Sequence, residues 1–303
     1  MKRILVSGLI NIETSVKVES FPIHYSPVTY PFFEVNTTVS GVGYNVAKAL
    51  RVLENQVSLL SIVGKDQALA WVKDSLTSEG ISNEYIIELI EQTPQSVIMY
   101  DDEGRRRINV DLKDIQEKLY PQDEFRRAMG GCELLILCNI NFSRPMLKIA
   151  RQAGKLIATD VHTIGDLEDA YNRDFMQAAD ILFMSNENLP VSPEEWGAEV
   201  MQRYQPEILV IGLGDKGALL SVRQSGFCRQ FPVVQMGEVI STIGAGDALF
   251  AAFVHSYLKN RNPIEAIQKA IIFASYKVRA VSASDGFLDP ESLEELYENL
   301  CRE

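Results

Sequence analysis

The chain has 303 residues, 46% of them hydrophobic, and a net charge of −12. That length and apolar content suffice for a substantial core and exclude a disordered or fibrous protein. The acidic balance argues against a nucleic-acid partner, because phosphate backbones are bound by basic surfaces.

In chain order, Met1-Lys2-Arg3 leads directly into a strand-like stretch, Arg3 to Gly8, without the apolar core and cleavage site of a secretion signal. Residues Ile12 to Val39 are rich in Thr, Val, Tyr and Phe, and Pro22, Pro27 and Pro31 exclude a long helix there. Val46, Ala49, Leu50 and Leu53 then fall on one helix face, followed by a strand from Val57 to Val63. Ser96 to Tyr100, an Asp101 to Gly104 turn and Arg107 to Val110 read as a hairpin. Further strands are predicted at Glu133 to Cys138, Leu156 to Asp160, Asp180 to Met184 and Glu207 to Gly212, with a helical pattern at Met146, Ile149, Ala150 and Ala153 between two of them. A last helix carries Leu293, Leu296, Tyr297 and Leu300. Apolar strands spaced by helices predict an α/β chain with a mainly parallel sheet covered on both faces. The segments 12–39 and 96–110 are predicted to form a small β layer, within a single domain spanning 1–303. No apolar run approaches the roughly 20 residues of a membrane helix, so a cytoplasmic protein without a membrane partner is expected. Cys132, Cys138, Cys228 and Cys301 lack the spacing of a zinc site or disulfide scaffold and read as buried free thiols.

The segment with the clearest chemistry is Ser241-Thr242-Ile243-Gly244-Ala245-Gly246-Asp247, followed by the apolar helical run Ala251 to Leu258. Gly244 and Gly246 allow a tight turn whose amides face outward, and the helix that follows adds its positive N-terminal end. That combination makes an anion hole, with Asp247 placed to approach a hydroxyl while the amides of Ala245 and Gly246 hold a phosphoryl group. The other reading is an ordinary glycine turn with Asp247 as a helix N-cap.

This run resembles the C-terminal signature D-T-x-G-A-G-D of the ribokinase-like (PfkB-type) carbohydrate kinases, in which the last aspartate is the catalytic base. Thr242, Gly244, Ala245, Gly246 and Asp247 match, while Ser241 replaces the first aspartate. In the family that aspartate helps organise a cation near the phosphates, so its replacement implies weak or no activation by potassium. Gly41, Gly43, Asn45, Ala47 and Leu50 resemble the family's N-terminal signature G-G-x-G-x-N-x-A-x-x-L, with Ser40 in place of the first glycine. The Asn45 amide can both donate to and accept from sugar hydroxyls. Gly64-Lys65-Asp66 resembles the G-x-D element that follows. Gly8-Leu9-Ile10-Asn11-Ile12-Glu13 is similar to the family's G-x-x-N-x-D, with Glu13 either contacting substrate beside Asn11 or standing as a solvated strand-end acid. Gly214, Lys216 and Gly217 sit in what looks like the nucleotide-side loop, where Lys216 reaches a phosphate or is an exposed turn lysine. In the family's N-x-x-E element this chain carries Leu189 at the glutamate position, and Glu187 is the nearest acid for a magnesium ion.

The resemblance implies a three-layer ribokinase-like fold with a small β lid, ATP and Mg2+ as co-substrate and ion, and transfer of the γ-phosphate to a hydroxyl of a small sugar. It equally accommodates a ribonucleoside substrate; a sugar or nucleotide sensor without turnover is the reading from another class. The lid aromatics Tyr25, Tyr30, Phe32 and Phe33 suit either a base pocket or a homodimer through the lid. Arg105, Arg106 and Arg107 read as a solvated strand edge, or as a lid face that turns Arg106 or Asn109 toward substrate.

Overall fold

The computed structural model describes residues 2–301. Its strands are β1 (Arg3–Ser7), β2 (Asn11–Lys17), β3 (Val35–Ser40), β4 (Gln56–Gly64), β5 (Ile86–Ile90), β6 (Gln95–Tyr100), β7 (Arg106–Asp111), β8 (Leu134–Leu137), β9 (Leu156–Thr163), β10 (Ile181–Ser185), β11 (Ile208–Gly212), β12 (Ala218–Val222) and β13 (Phe227–Phe231). Its helices are α1 (Val42–Val52), α2 (Ala68–Ser78), α3 (Gln122–Ala128), α4 (Arg144–Gln152), α5 (Arg173–Ala178), α6 (Pro193–Tyr204), α7 (Ala245–Asn260), α8 (Pro263–Lys277) and α9 (Pro290–Cys301).

A nine-stranded sheet runs in the order β13-β12-β11-β10-β9-β8-β1-β4-β5. From β11 across to β5 every neighbouring pair is parallel, and the hairpin β12–β13 extends the other edge antiparallel. Period-two alternation divides the strands between two cores. Ile4, Val6, Leu134 and Ile136 pack with Leu50 of α1, Phe250 and Phe253 of α7 and Phe273 of α8. Leu5, Leu135 and Leu137 pack on the opposite face with Phe125 of α3, Ile149 of α4, Phe175 of α5 and Trp196 of α6. Three layers result. α7 is buried nearly all round, as its continuous run from Ala248 to Ser256 requires of a helix lying between α1 and α8.

The small second sheet has the order β3-β2-β6-β7. It matches the predicted β layer except between residues 18 and 34, where there is no strand. Pro22, Pro27 and Pro31, which exclude a helix, also deny amide donors to a strand ladder. Of the thiols, Cys132 and Cys138 are buried and free, but Cys228 lies exposed on the edge strand β13, where one face meets solvent. The side chain of Cys301 lies outside the described residues. Among the described residues no helix is long and apolar enough to cross a membrane.

Candidate active site

The strand order reverses at β1: β4 and β5 lie on one side of it and β8 on the other. In open α/β sheets the crevice at the carboxyl ends of the strands beside such a reversal is where ligands bind. Here the chain leaves β1, forms β2 and β3 of the small sheet and returns over the end of β1 into α1. A Cβ on Gly43 would sit 2.5 Å from the Gly8 carbonyl carbon, and one on Gly41, whose φ is 106°, would sit 2.5 Å from the Leu9 oxygen. Gly41 and Gly43, expected to lie against substrate, are thus required for this crossing itself, and the crossing delivers Asn45 to the crevice. Gly64 and Asp66 fix the other side. The Asp66 carboxylate accepts from the Thr93 amide at 2.7 Å and hydroxyl at 2.8 Å, pinning the entry to β6.

α7 opposes α1 across the crevice. It starts from Gly244 in the left-handed conformation (φ 77°), where a Cβ would come within 2.3 Å of the Ala283 carbonyl oxygen, so only glycine fits. The Ala245 amide donates to the Thr242 carbonyl at 3.2 Å. Among the described residues the amides of Gly246 and Asp247 have no protein acceptor, so the free donors of this helix end are Gly246 and Asp247 rather than the predicted Ala245 and Gly246. Asp247 is not an N-cap: no side chain caps this helix, and its Oδ2 instead accepts from Asn45 Nδ2 at 2.8 Å.

From Asn45 the polar chain continues inward. The Ser40 hydroxyl lies 3.2 Å from Asn45 Oδ1 and 3.0 Å from Glu13 Oε2, and its single proton can satisfy one acceptor at a time. Glu13 is buried, which removes the solvated-acid reading, and burial raises its carboxyl above the usual range against the Ser40 hydrogen bond. Asp247 is pushed up to about 6, chiefly by burial; the Asn45 hydrogen bond and His162 oppose the rise and Asp160 adds to it. A carboxylate so tuned is charged at neutral pH yet basic enough to take a proton from a hydroxyl. Asn11 donates to Ser96 Oγ at 2.9 Å while its buried Oδ1 has no partner, an acceptor open to a ligand hydroxyl.

On the other flank, Gly214, Lys216 and Gly217 form a short turn after β11, with Gly214 and Lys216 exposed. Arg106 crosses from β7 of the small sheet to the loop before α7. Its Nη1 donates to Thr242 Oγ1 at 2.7 Å, and its Nη2 lies 3.5 Å from Glu187 Oε1. The exposed Glu187 follows β10 and meets the loop before α7 through Arg106. Among the described residues no group of three acidic, histidine or cysteine side chains could hold a metal on its own. That donor set fits an ion carried by nucleotide phosphates and water, which commonly takes one protein carboxylate.

Three contributors, Asp160, His162 and Lys277, escaped the reading of motifs. Arg106 was one of two candidates on its hairpin. Asp160 and His162 stand at the carboxyl end of β9 and act on Asp247 through space; His162 is in left-handed backbone (φ 57°) with its amide donating to Asp160 Oδ1 at 2.8 Å. Their signal is an acid at the end of a parallel strand. Lys277, fully buried, donates to the Ile243 carbonyl beside Gly244.

The model of the pfkB family carbohydrate kinases matches residues 1–289. An ATP-dependent ribose-1-phosphate kinase of Halopiger xanaduensis is 24% identical over 282 residues, 89% of this chain and 90% of that protein. A 2-dehydro-3-deoxygluconokinase of Bacillus subtilis is 25% identical over 308 residues, 91% and 92% of the two chains. The solved structure of a microbiome-derived acarbose kinase superposes with a TM-score of 0.87 at 23% identity, covering 97% of this chain and 98% of that one.

Proposed function

The chain belongs to the pfkB family of carbohydrate kinases, phosphotransferases that act on sugar hydroxyls, and from that premise we propose that Asp247 is the base of an ATP-dependent transfer to a small sugar. The observation that carries this is one carboxylate, pushed up to about 6, standing beside two unpartnered amides at the start of α7. A substrate hydroxyl held by Asn11 and Asn45 gives its proton to Asp247 as its oxygen attacks the γ-phosphorus. The amides of Gly246 and Asp247 accept the charge that grows on the phosphoryl oxygens, and the turn at Gly214, Lys216 and Gly217 holds the nucleotide. General-base and anion-hole contributions of about 3 kcal/mol each are usual for such parts. Magnesium bound to the phosphates, reached by Glu187 through water, would neutralise part of their charge.

The polar face of β2 favours a sugar over a nucleoside. Asn11, Glu13 and Ser15 are buried there beside Ser96 and Ser40, all hydrogen-bonding groups. Tyr25, Tyr30, Phe32 and Phe33 stand out in solvent, Phe33 fully exposed, and form no base pocket. They suit instead a homodimer through the lid, the small sheet of segments 12–39 and 96–110 acting as that lid within one kinase domain. We take the enzyme as cytoplasmic, where ATP is available. A panel of pentoses, hexoses, phosphorylated sugars, sugar acids and nucleosides, followed by ADP release with ATP with and without magnesium, tests the reading. A magnesium-dependent sugar turnover is expected. Preference for a nucleoside would move the assignment to a ribonucleoside kinase, and silence across the panel would favour a sensor.

A further inference from the structure

Lys277 is the last residue of α8, and none of its surface is exposed. Burying an ammonium is costly unless something inside the fold requires the charge. Among the described residues the ammonium's one protein hydrogen bond is to the carbonyl of Ile243, and no carboxylate stands within ion-pair distance of it. The charges that act on it come from Asp247 on α7, Glu13 on β2, Asp285 after α8 and Arg106 on β7. The site also receives the carbonyl end of α8, where a helix favours positive charge.

The residues around Lys277 hold the whole loop before α7. Ile240 and Ser241 both donate their amides to the Val278 carbonyl, at 2.8 and 3.0 Å. The Ser241 hydroxyl accepts from the Ile243 amide at 3.3 Å, and Ala283 abuts Gly244. Ile243, Gly244 and the free amides of Gly246 and Asp247 therefore share one support, in which Lys277 is the buried cation, while the more exposed Arg106 reaches the same loop at Thr242.

We infer that Lys277 is a built-in cation of the phosphate loop: its ammonium fixes the Ile243 carbonyl, so orienting the Gly246 and Asp247 amides, and its positive charge favours the charged form of Asp247, so that turnover needs no monovalent cation from solution. Lys277 is a positioning residue, and its role rests on the kinase reading above. Burial lowers its own proton affinity to about 8, so the support weakens as pH rises through that value.

The test uses the intact protein and the variants Lys277→Met and Lys277→Arg. The parent should turn over equally in sodium, potassium and tetramethylammonium salts at constant ionic strength. Lys277→Met should melt at the same temperature or higher, because an unpaired buried charge is gone. Its turnover should fall on the order of 10²-fold, the effect of losing one oxyanion donor, and its acid limb should move to higher pH as Asp247 loses a nearby positive charge. Lys277→Arg should retain more turnover than Lys277→Met. Strong potassium activation of the parent would overturn the assignment without any variant. So would a Lys277→Met protein with a lower melting temperature but unchanged turnover and acid limb, the behaviour of a space-filling lysine. If Lys277→Met does not fold, the parent's cation response and the Lys277→Arg profile decide. If the parent phosphorylates nothing, the kinase reading fails by itself. The loop's support is then read from MgATP affinity, which weakens in the Met variant if the assignment holds and stays unchanged if it does not.

Discussion

Asn45→Leu removes the donor that Asp247 Oδ2 accepts at 2.8 Å while keeping the side-chain volume close. The Ser40 hydroxyl retains Glu13 as an acceptor, so the group that loses its partner is the Asp247 carboxylate. A hydrogen bond to a charged group contributes about 1.5–3 kcal/mol, and one pKa unit corresponds to about 1.4 kcal/mol, so Asp247 should rise by about 1–2 units. Its acid limb then moves from about 6 in the parent to about 7–8. At pH 7 the ionised fraction falls from about nine-tenths to between about a half and a tenth, a loss of roughly 2–10-fold in turnover from ionisation alone. The assay is kcat at saturating substrate from pH 5 to 9, which reports the bound complex. The profile should narrow and peak at higher pH, since Lys277 discharges near 8 on the alkaline side. Loss of a substrate contact alone would raise KM at every pH without moving the limb. An acid limb that stays where the parent has it would refute the coupling of Asn45 to the base.

Arg106→Ala should lower kcat/KM by about 10-fold, since a charge-assisted bond from the small sheet to Thr242 is lost and the arginine is partly exposed. A value near the parent's would remove Arg106 from closure over the site. Aspartate at both Phe32 and Phe33, which are 77% and 100% exposed, should shift a dimer to monomer in sedimentation equilibrium at micromolar protein. A parent already monomeric at that concentration would end the proposal of a lid-to-lid dimer.

Most elements of the main sheet are legible in the sequence because their apolar runs are continuous and the helices between them periodic. β8 and β11 fall within a residue of their predicted bounds. α9 is where Leu293, Leu296, Tyr297 and Leu300 place it, though Leu300 itself is exposed. The hairpin β12–β13 is missing from the reading, since its outer strand is only five residues long and its sequence, Phe227-Cys228-Arg229-Gln230-Phe231, lacks apolar–polar alternation. The irregular course of 18–34 needed the prolines to be weighed against strands as well as helices. Motif positions located Asn45 and Asp247 separately; that they bond to each other depends on a crossing at Gly8 and Gly43 that no local pattern encodes. Lys277 is the instructive omission. Ala266, Ala270, Phe273 and Lys277 follow the i, i+4, i+7, i+11 stripe of one buried face, so a lysine stands where the period assigns core, and that contradiction was readable.

Asp247→Asn tests the account's central claim most directly. Asparagine keeps the volume and can still accept from Asn45, so the fold loses nothing it depends on. Above about pH 6 the parent carries a half-buried carboxylate whose folded value lies above its ordinary 3.8. The charged form there costs stability, a cost that declines as pH falls from the folded value toward 3.8. At pH 8 the variant should therefore melt at the same temperature or higher. MgATP affinity should change little, because the Gly246 and residue-247 amides remain, while turnover falls by about 10²–10⁴-fold. Turnover close to the parent's, in a variant shown to be folded and to bind nucleotide, would contradict Asp247 as the base.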